Sequence, residues 1–392
     1  MKTLGVYVQV PFCASKCSFC NFSSGVVPSS VFDGYTEAIE AEVSRLRKPS
    51  SELRPEVLQL PVDSLYFGGG TPSLLATGRL ERVLRRLRES LQFHGTAEVT
   101  LETTPASADE AFLGKIIALG FNRLSIGAQS FDDKELKCVG RLHSAHDTVS
   151  QVERARRAGF GNISLDLLAG LPYQSLESWC KSLEETARLR PEHISVYLLE
   201  VDEKSRLGSE VLGHGKLYHA EAVPDEEFLA DAYEVARGFL LREGYHQYEI
   251  SNFARPGYES RHNQKYWQFE PYLGLGAGAH SFDGYSRWSN EAAPNAYEAK
   301  IKREEWPVTG FHSLTTTEQV EEFFFLGLRQ RRGVNLAGAR ERWGGDFLSW
   351  WQAKITRLEQ EGWMVEENGW VRLSERACLV SNEIFQEFLH VS

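Results

Sequence analysis

Residues 6–22 read VYVQVPFCASKCSFCNF, a short alternating apolar run followed by Cys13, Cys17 and Cys20 in the spacing C-x3-C-x2-C. The alternation in VYVQV predicts a β-strand, and the cysteines fall in the loop that leaves it. Working outward, a helical pattern follows with Phe32, Tyr35, Ile39, Val43 and Leu46 on one face. The unit then recurs. DSLYFGG precedes the helical LERVLRRLRESL, AEVTLE precedes ADEAFLGKIIALG, NRLSIG precedes a polar helical run, and GNISLDLLAG precedes LESWCKSLEETARL. HISVYLLE and YHQYEIS close the series. Strands alternating with helices at this interval predict an α/β fold, a parallel sheet rolled into a full or partial (β/α) barrel. Active groups are then expected at the C-terminal ends of the strands, where the cysteine loop sits.

A structural zinc or a closed iron–sulfur cluster normally takes four protein ligands. Three clustered thiolates therefore read in two ways: a zinc site with a distant fourth ligand, or a cluster with one iron left open. Spacing leaves both standing. Cys138, Cys180 and Cys378 are scattered through apolar segments and read as packed residues.

Composition limits the function classes. The chain has 392 residues, 42% of them hydrophobic, enough for two or three domains. Its longest apolar runs, such as ISLDLLAGL and EEFFFLGL, are too short to span a membrane, and MKTLGVYVQV lacks the features of a secretion signal. A cytoplasmic protein is expected, with room for peripheral membrane contact. A formal charge of −11 argues against nucleic acid as a partner. Three segments are expected. Residues 1–252 carry the barrel, and 253–314 form an irregular stretch rich in Gly, Pro and aromatics that reads as loops crossing a surface. Residues 315–392 hold helices and two short strands around ENG, a winged-helix-like arrangement.

The cysteine loop after a first strand and GGGTP (68–72) after the second resemble the radical S-adenosylmethionine superfamily. More narrowly, Y-x-x-x-P-F-C at 7–13, NRLSIGAQSF at 122–131, GRLHS at 140–144, DLLAGLP at 166–172, GAGAHS at 276–281 and LVSNEIFQEFL near the C-terminus resemble the anaerobic coproporphyrinogen III oxidase family. Within it, HNQKYW (262–267) is similar to the H-N-x-x-Y-W signature of the HemW branch, whose members are described as haem-binding chaperones.

The resemblance implies a [4Fe-4S] cluster on Cys13, Cys17 and Cys20, with S-adenosylmethionine on the fourth iron. An electron from the cluster can cleave that cosubstrate to methionine and a 5′-deoxyadenosyl radical. Carried over residue by residue, Phe19 would lie beside the adenine, and Gly69, Gly70 and Thr71 would let backbone approach the methionine end. Glu102 and Asp166 would accept from ribose hydroxyls or the amino group. Gln129 and Arg141 would complement the carboxylate, and Tyr7 would line the first strand. His262 is the implied haem ligand, flanked by Tyr266 and Trp267, with His280 as a competing candidate. The implied partners are haem, a haem-acceptor protein and an electron donor.

Several departures from the family's pattern mark this chain. Phe22 stands where the oxidase branch commonly has another cysteine, only six residues precede Tyr7 where that branch usually carries an N-terminal extension, and Gln9 replaces a histidine common among relatives in general. ETTP (102–105) replaces E-x-N-P, so that carry-over rests on Glu102 alone. The resemblance thus favours a haem carrier over oxidative decarboxylation of coproporphyrinogen III.

Overall fold

The computed structural model describes residues 2–46, 54–345 and 349–389. The expected rhythm is present: β1 (Leu4–Val10), α1 (Phe32–Arg45), β2 (Val62–Gly69), α2 (Thr77–Ser90), β3 (Phe93–Thr103), α3 (Glu110–Leu119) and β4 (Arg123–Gln129). It continues with α4 (Asp133–Cys138), α5 (Ala145–Ala158), β5 (Ile163–Ala169), α6 (Leu176–Arg188) and β6 (His193–Leu198). Local chemistry fixes where helices start. Ser144 and Asp147 form a capping box at α5, and Ser175 and Ser178 form one at α6.

Strands β1 to β6 are parallel and lie in chain order. After α7 (Arg206–Leu212) and α8 (Glu226–Arg242) the pattern changes. The YHQYEIS stretch expected as a further parallel strand yields only β7 (His246–Gln247), antiparallel to β8 (Asn252–Ala254), which pairs antiparallel with β6. Helix α9 (Arg261–Trp267) follows. Then β9 (Tyr272–Leu275) returns to pair in parallel with β1, and β10 (His280–Phe282), β11 (Ser286–Asn290), α10 (Pro294–Lys302) and β12 (Val308–Ser313) extend that edge. The segment expected to be surface loops therefore supplies strands to an open twelve-stranded sheet, a partial barrel.

The strands alternate in character across their two faces. Val6, Val8, Leu65, Phe67, Leu101, Leu124, Ile126, Leu165 and Ile194 are fully buried against Ile39, Leu84, Ile116, Val152 and Leu183 of the outer helices. On the alternate positions Tyr7, Tyr66, Glu102, Arg123, Ser125, Asp166, Ser195 and Tyr197 point into the barrel. The apolar core lies between sheet and helices, and the interior is polar. In closed (β/α) barrels that space is filled by branched aliphatics.

Beyond the sheet, α11 (Thr316–Gly327), β13 (Val334–Asn335), α12 (Leu336–Trp343), α13 (Ser349–Gln360), β14 (Met364–Glu367), β15 (Trp370–Leu373) and α14 (Ser381–Gln386) pack around a second core including Phe324, Trp351, Ile355 and Phe388. Strands β13, β15 and β14 form a small antiparallel sheet beside the helices, in the winged-helix manner expected.

Glu42 ties α1 to the added edge. It accepts hydrogen bonds from Tyr297 Oη (2.6 Å), Asn290 Nδ2 (2.6 Å) and the Gly276 amide (2.9 Å), yet burial outweighs them and pushes its carboxyl up to about 7. The folded value lies above the unfolded one, so the native state holds this proton to higher pH. The associated stability is complete below the unfolded carboxyl range and is lost as pH rises through about 7, on the order of 3 kcal/mol from this group. Urea midpoints should fall from about pH 5 to about pH 8, and Glu42→Gln should flatten the curve. A midpoint that climbs across that window would show that burial does not govern Glu42.

Candidate functional site

The C-terminal ends of β1 to β6 surround a cleft of about 490 Å³. The cysteine loop forms one wall and is closed at its neck, where Cys13 N donates to Gly25 O and Gly25 N to Pro11 O, both at 2.9 Å. Lys16 Nζ donates across the loop to the carbonyls of Phe22 (2.7 Å) and Ser24 (2.9 Å). Two outside contacts pin it: Ser18 N donates to Val139 O (3.1 Å), and Leu207 N donates to Ser18 O (2.8 Å). Phe19 packs into an apolar cluster of Val139, Leu168, Leu171, Leu199 and Leu207.

Cys13, Cys17 and Cys20 all line the cleft. Burial pushes the Cys13 thiol up, while hydrogen bonds with Ser24 and Thr71 pull it down. Arg141 Nη1 approaches Cys17 Sγ at 3.5 Å and its Nη2 donates to Gly127 O at 2.6 Å, leaving Nε buried without a partner. Among the described residues no three His, Cys, Asp or Glu side chains converge as ligands of a single metal ion.

The GGGTP turn lies against this loop. Gly69 N donates to Glu102 Oε2 (3.0 Å), Gly70 N to Val10 O (2.8 Å) and Thr71 N to Phe12 O (2.7 Å). With those amides committed, these residues can meet a ligand through carbonyl oxygens or the Thr71 hydroxyl, groups that suit an ammonium. Gly69 has φ +110°, and a Cβ there would come within 2.6 Å of the Gln9 side chain. Gln129 adopts φ +67° where the β4–β5 register shifts, a strained turn of the kind found at ligand sites.

Glu102 and Asp166 form the floor. Tyr66 Oη donates to Glu102 Oε1 at 2.8 Å, and Ser125 Oγ donates to Asp166 Oδ2 at 3.3 Å. Burial pushes Glu102 up to about 7, with the charge of Asp166 adding to it, and burial raises Asp166 as well.

Beneath that floor lies a second cavity of about 180 Å³, which shares Glu102, Ser125, Asp166 and Tyr197 with the cleft. Tyr7 and His262 line this lower chamber and not the cleft, so of the other expected site residues they share a space only with Glu102 and Asp166. His262 is also not on a surface loop. It sits on α9, whose Ser260 cap and Glu98, accepting from the Arg261 and His262 amides, seat the helix across the bottom of the barrel. His262 is 1% exposed, with Nδ1 3.1 Å from Ser64 Oγ and Nε2 2.8 Å from Tyr266 Oη. Burial, with Lys265 and Arg123 adding, pushes its imidazole down to about 3. Lys265 is buried between Asp63 (3.0 Å) and Glu270 (2.7 Å), and Trp267 O accepts from Gln330 Nε2 (3.0 Å). HNQKYW thus joins the barrel floor to the C-terminal helices. His280 is exposed on β10.

Tyr66, Arg123, Ser125 and Tyr197 are site residues that the motifs do not reveal. Their signal is present in DSLYFGG, NRLSIG and HISVYLLE, where every second residue is polar inside otherwise apolar strands.

Two family models match the chain: the Radical SAM superfamily over residues 7–186 and the HemN C-terminal domain over residues 314–380. The chain is 34% identical to the heme chaperone HemW of Bacillus subtilis, across 98% of each chain. It belongs to the HemW branch of the radical SAM superfamily. HemW relatives also include the heme chaperone HemW of Mycobacterium tuberculosis, 35% identical over 87% of this chain and 86% of that one. The radical S-adenosyl methionine domain-containing protein 1, mitochondrial, of Bos taurus is 32% identical over 98% and 87%. The fold matches the structure of coproporphyrinogen III oxidase (HemN) from Escherichia coli with a TM-score of 0.85 at 24% identity, covering 99% of this chain and 90% of that one. HemW membership implies a cluster and S-adenosylmethionine. Among the described residues no helix is long and apolar enough to cross a membrane.

Proposed function

We propose that the protein binds haem and delivers it to an acceptor protein, with a [4Fe-4S] cluster on Cys13, Cys17 and Cys20 and S-adenosylmethionine at the open iron. The observation that carries this reading is full-length relatedness to proteins named heme chaperone HemW. Phe22 adds support: it is 64% exposed on the rim, where the oxidase branch commonly has a cysteine. We propose a cytoplasmic location and an unidentified electron donor. The division into 1–252, 253–314 and 315–392 is likewise proposed, with the middle segment completing the sheet.

The residues of the cleft suit these groups. The cluster, when bound, supplies one electron to a sulfonium. Arg141 brings positive charge beside Cys17 and the ligand carboxylate. The Gly69–Thr71 backbone accepts from an ammonium, Phe19 offers its ring to an adenine, and Gln129 is held by the bulge to reach the same space. Glu102 and Asp166 accept from hydroxyl or amino groups, and the Phe19 cluster limits water. Haem contact at His262 requires Ser64 or Tyr266 to release its ring.

Acceptance by Glu102 requires its carboxylate, so affinity for S-adenosylmethionine should rise as pH rises through about 7. Glu102→Gln should remove that dependence and weaken binding about tenfold or more. Equilibrium dialysis of cluster-loaded protein across pH checks this, and an unchanged profile in the variant would exclude Glu102.

The function is tested by titrating cluster-loaded protein with haem under anaerobic conditions, then adding S-adenosylmethionine, a reductant and coproporphyrinogen III. Stoichiometric haem binding without decarboxylation is expected. Decarboxylated product without haem binding would overturn the chaperone reading in favour of the oxidase.

A further inference from the structure

Three cations are buried among the described residues: Arg45, Arg123 and Lys265. Two of them are partnered. Lys265 is held between Asp63 and Glu270, and Arg45 donates to the carbonyls of Glu305 (2.5 Å) and Ile301 (3.4 Å). Arg123, at the start of β4, differs. It is 2% exposed, its Nε is buried without a partner, and its guanidinium forms no hydrogen bond or ion pair with any described residue. A buried guanidinium in that state costs free energy until an anion pairs with it.

The carboxylates around it spend their oxygens elsewhere. Glu98 accepts from the Arg261 and His262 amides, both at 3.2 Å, Glu102 from Tyr66 Oη and Gly69 N, and Asp166 from Ser125 Oγ. Burial opposes the Arg123 charge, and the fields of Glu98 and Asp166 help to sustain it, but they leave the planar fork of N–H donors open. Arg123 lines the lower chamber together with His262, whose imidazole its charge helps to hold down. Ser125 and Ser195 add neutral hydroxyls to the same lining. Glu102 and Asp166 stand at the roof shared with the cleft, where S-adenosylmethionine is proposed to engage them. Pockets that enclose a whole drug-sized ligand run to about 300–1,000 Å³. At about 180 Å³ the chamber takes an arm of such a ligand and not its body.

We propose that the chamber is a carboxylate subsite, in which one propionate of haem pairs bidentately with the Arg123 guanidinium; this rests on the haem-carrier reading above. That reading puts the iron at His262, once Tyr266 releases Nε2. Two groups of one chamber then hold two parts of the cargo, the imidazole its metal and the guanidinium its acid arm. Arginine suits the second task better than lysine, because its rigid fork meets both oxygens of a carboxylate. The pair lets the carrier distinguish haem from porphyrins whose acid arms are blocked.

The test compares haem with its dimethyl ester, in which both propionates are uncharged, on the full-length, cluster-loaded protein. Wild type is expected to bind haem about 10- to 100-fold more tightly than the ester. Arg123→Met should bring haem down to the affinity of the ester and leave the ester near its wild-type value. Arg123→Lys should keep part of the preference. Cluster absorbance reports the folding of each variant. Equal loss of haem and ester in Arg123→Met would show a structural role and overturn the subsite. So would a wild type that binds both alike. A variant that loses S-adenosylmethionine with the preference intact would assign the fork to that ligand's carboxylate instead. If Arg123→Met holds no cluster, Arg123→Lys decides: a full wild-type preference overturns the subsite and a reduced one supports it. These outcomes leave the carrier reading standing, whereas absence of haem binding by wild type would overturn both.

Discussion

A Cys13→Ala, Cys17→Ala, Cys20→Ala variant purified without oxygen will lack the brown iron–sulfur absorbance and carry almost no iron. S-adenosylmethionine binding will fall with it, because the ligand is proposed to sit at the cluster's open iron. The loss should exceed the roughly 10- to 100-fold that follows removal of an outer-layer metal partner. Folding should survive. The three side chains sit in a loop whose path is set by the Pro11–Gly25 neck, the Lys16 crossbar and the Leu207 contact, none of which uses a thiol. Iron analysis with circular dichroism checks both halves, and a full iron load in the variant would remove these cysteines from the cluster.

Gly70→Ala is expected to be the most damaging single-methyl change at the site. A Cβ on Gly70 would stand within 2.9 Å of Phe12 N and carbonyl carbon and closer still to its oxygen. These are backbone atoms of the turn that carries Cys13, so no side chain can swing away to make room. Either the Thr71–Phe12 hydrogen bond breaks or the turn moves, and the position of Cys13 changes with it. Overpacking of this kind lowers stability by about 1–3 kcal/mol, several degrees in melting temperature. The larger effect should be on iron retention, because a ligand displaced by a fraction of an ångström no longer meets its metal. Gly78→Ala is the control, since nothing lies within 4 Å of its added methyl. If Gly70→Ala held iron and S-adenosylmethionine as that control does, the close approach of GGGTP to the cysteine loop would be wrong.

Two kinds of sequence signal differ in reach. Local ones carry well: the alternation in VYVQV and DSLYFGG, the helical spacing of Phe32, Tyr35, Ile39 and Val43, and the glycines of GGGTP all act within a few residues of where they stand. The parallel sheet follows from them, and with the family motifs so does the gathering of Phe19, Gly69, Gly70, Thr71, Glu102, Gln129, Arg141 and Asp166 around the cysteines. What stays hidden depends on pairing across the chain. Tyr272–Leu275 is a strand because β1, far away in sequence, offers it an edge, and nothing in its Gly-rich surroundings announces that. His262 reads as a surface ligand because its own segment is polar and aromatic. Its true setting comes from Ser64 and Glu98 on distant strands.

The alternation of the strands separates two kinds of selection. Outward positions such as Val8, Phe67, Ile126 and Leu165 meet the helices, and any change there is felt by the whole barrel. Inward positions such as Ser125, Ser195 and Tyr197 border open space, and exchanging them leaves the apolar layer untouched. The scaffold can therefore be held constant while its lining drifts. Descendants of such a fold could exchange one cargo for another by a handful of inward substitutions, without first acquiring extra stability to tolerate them.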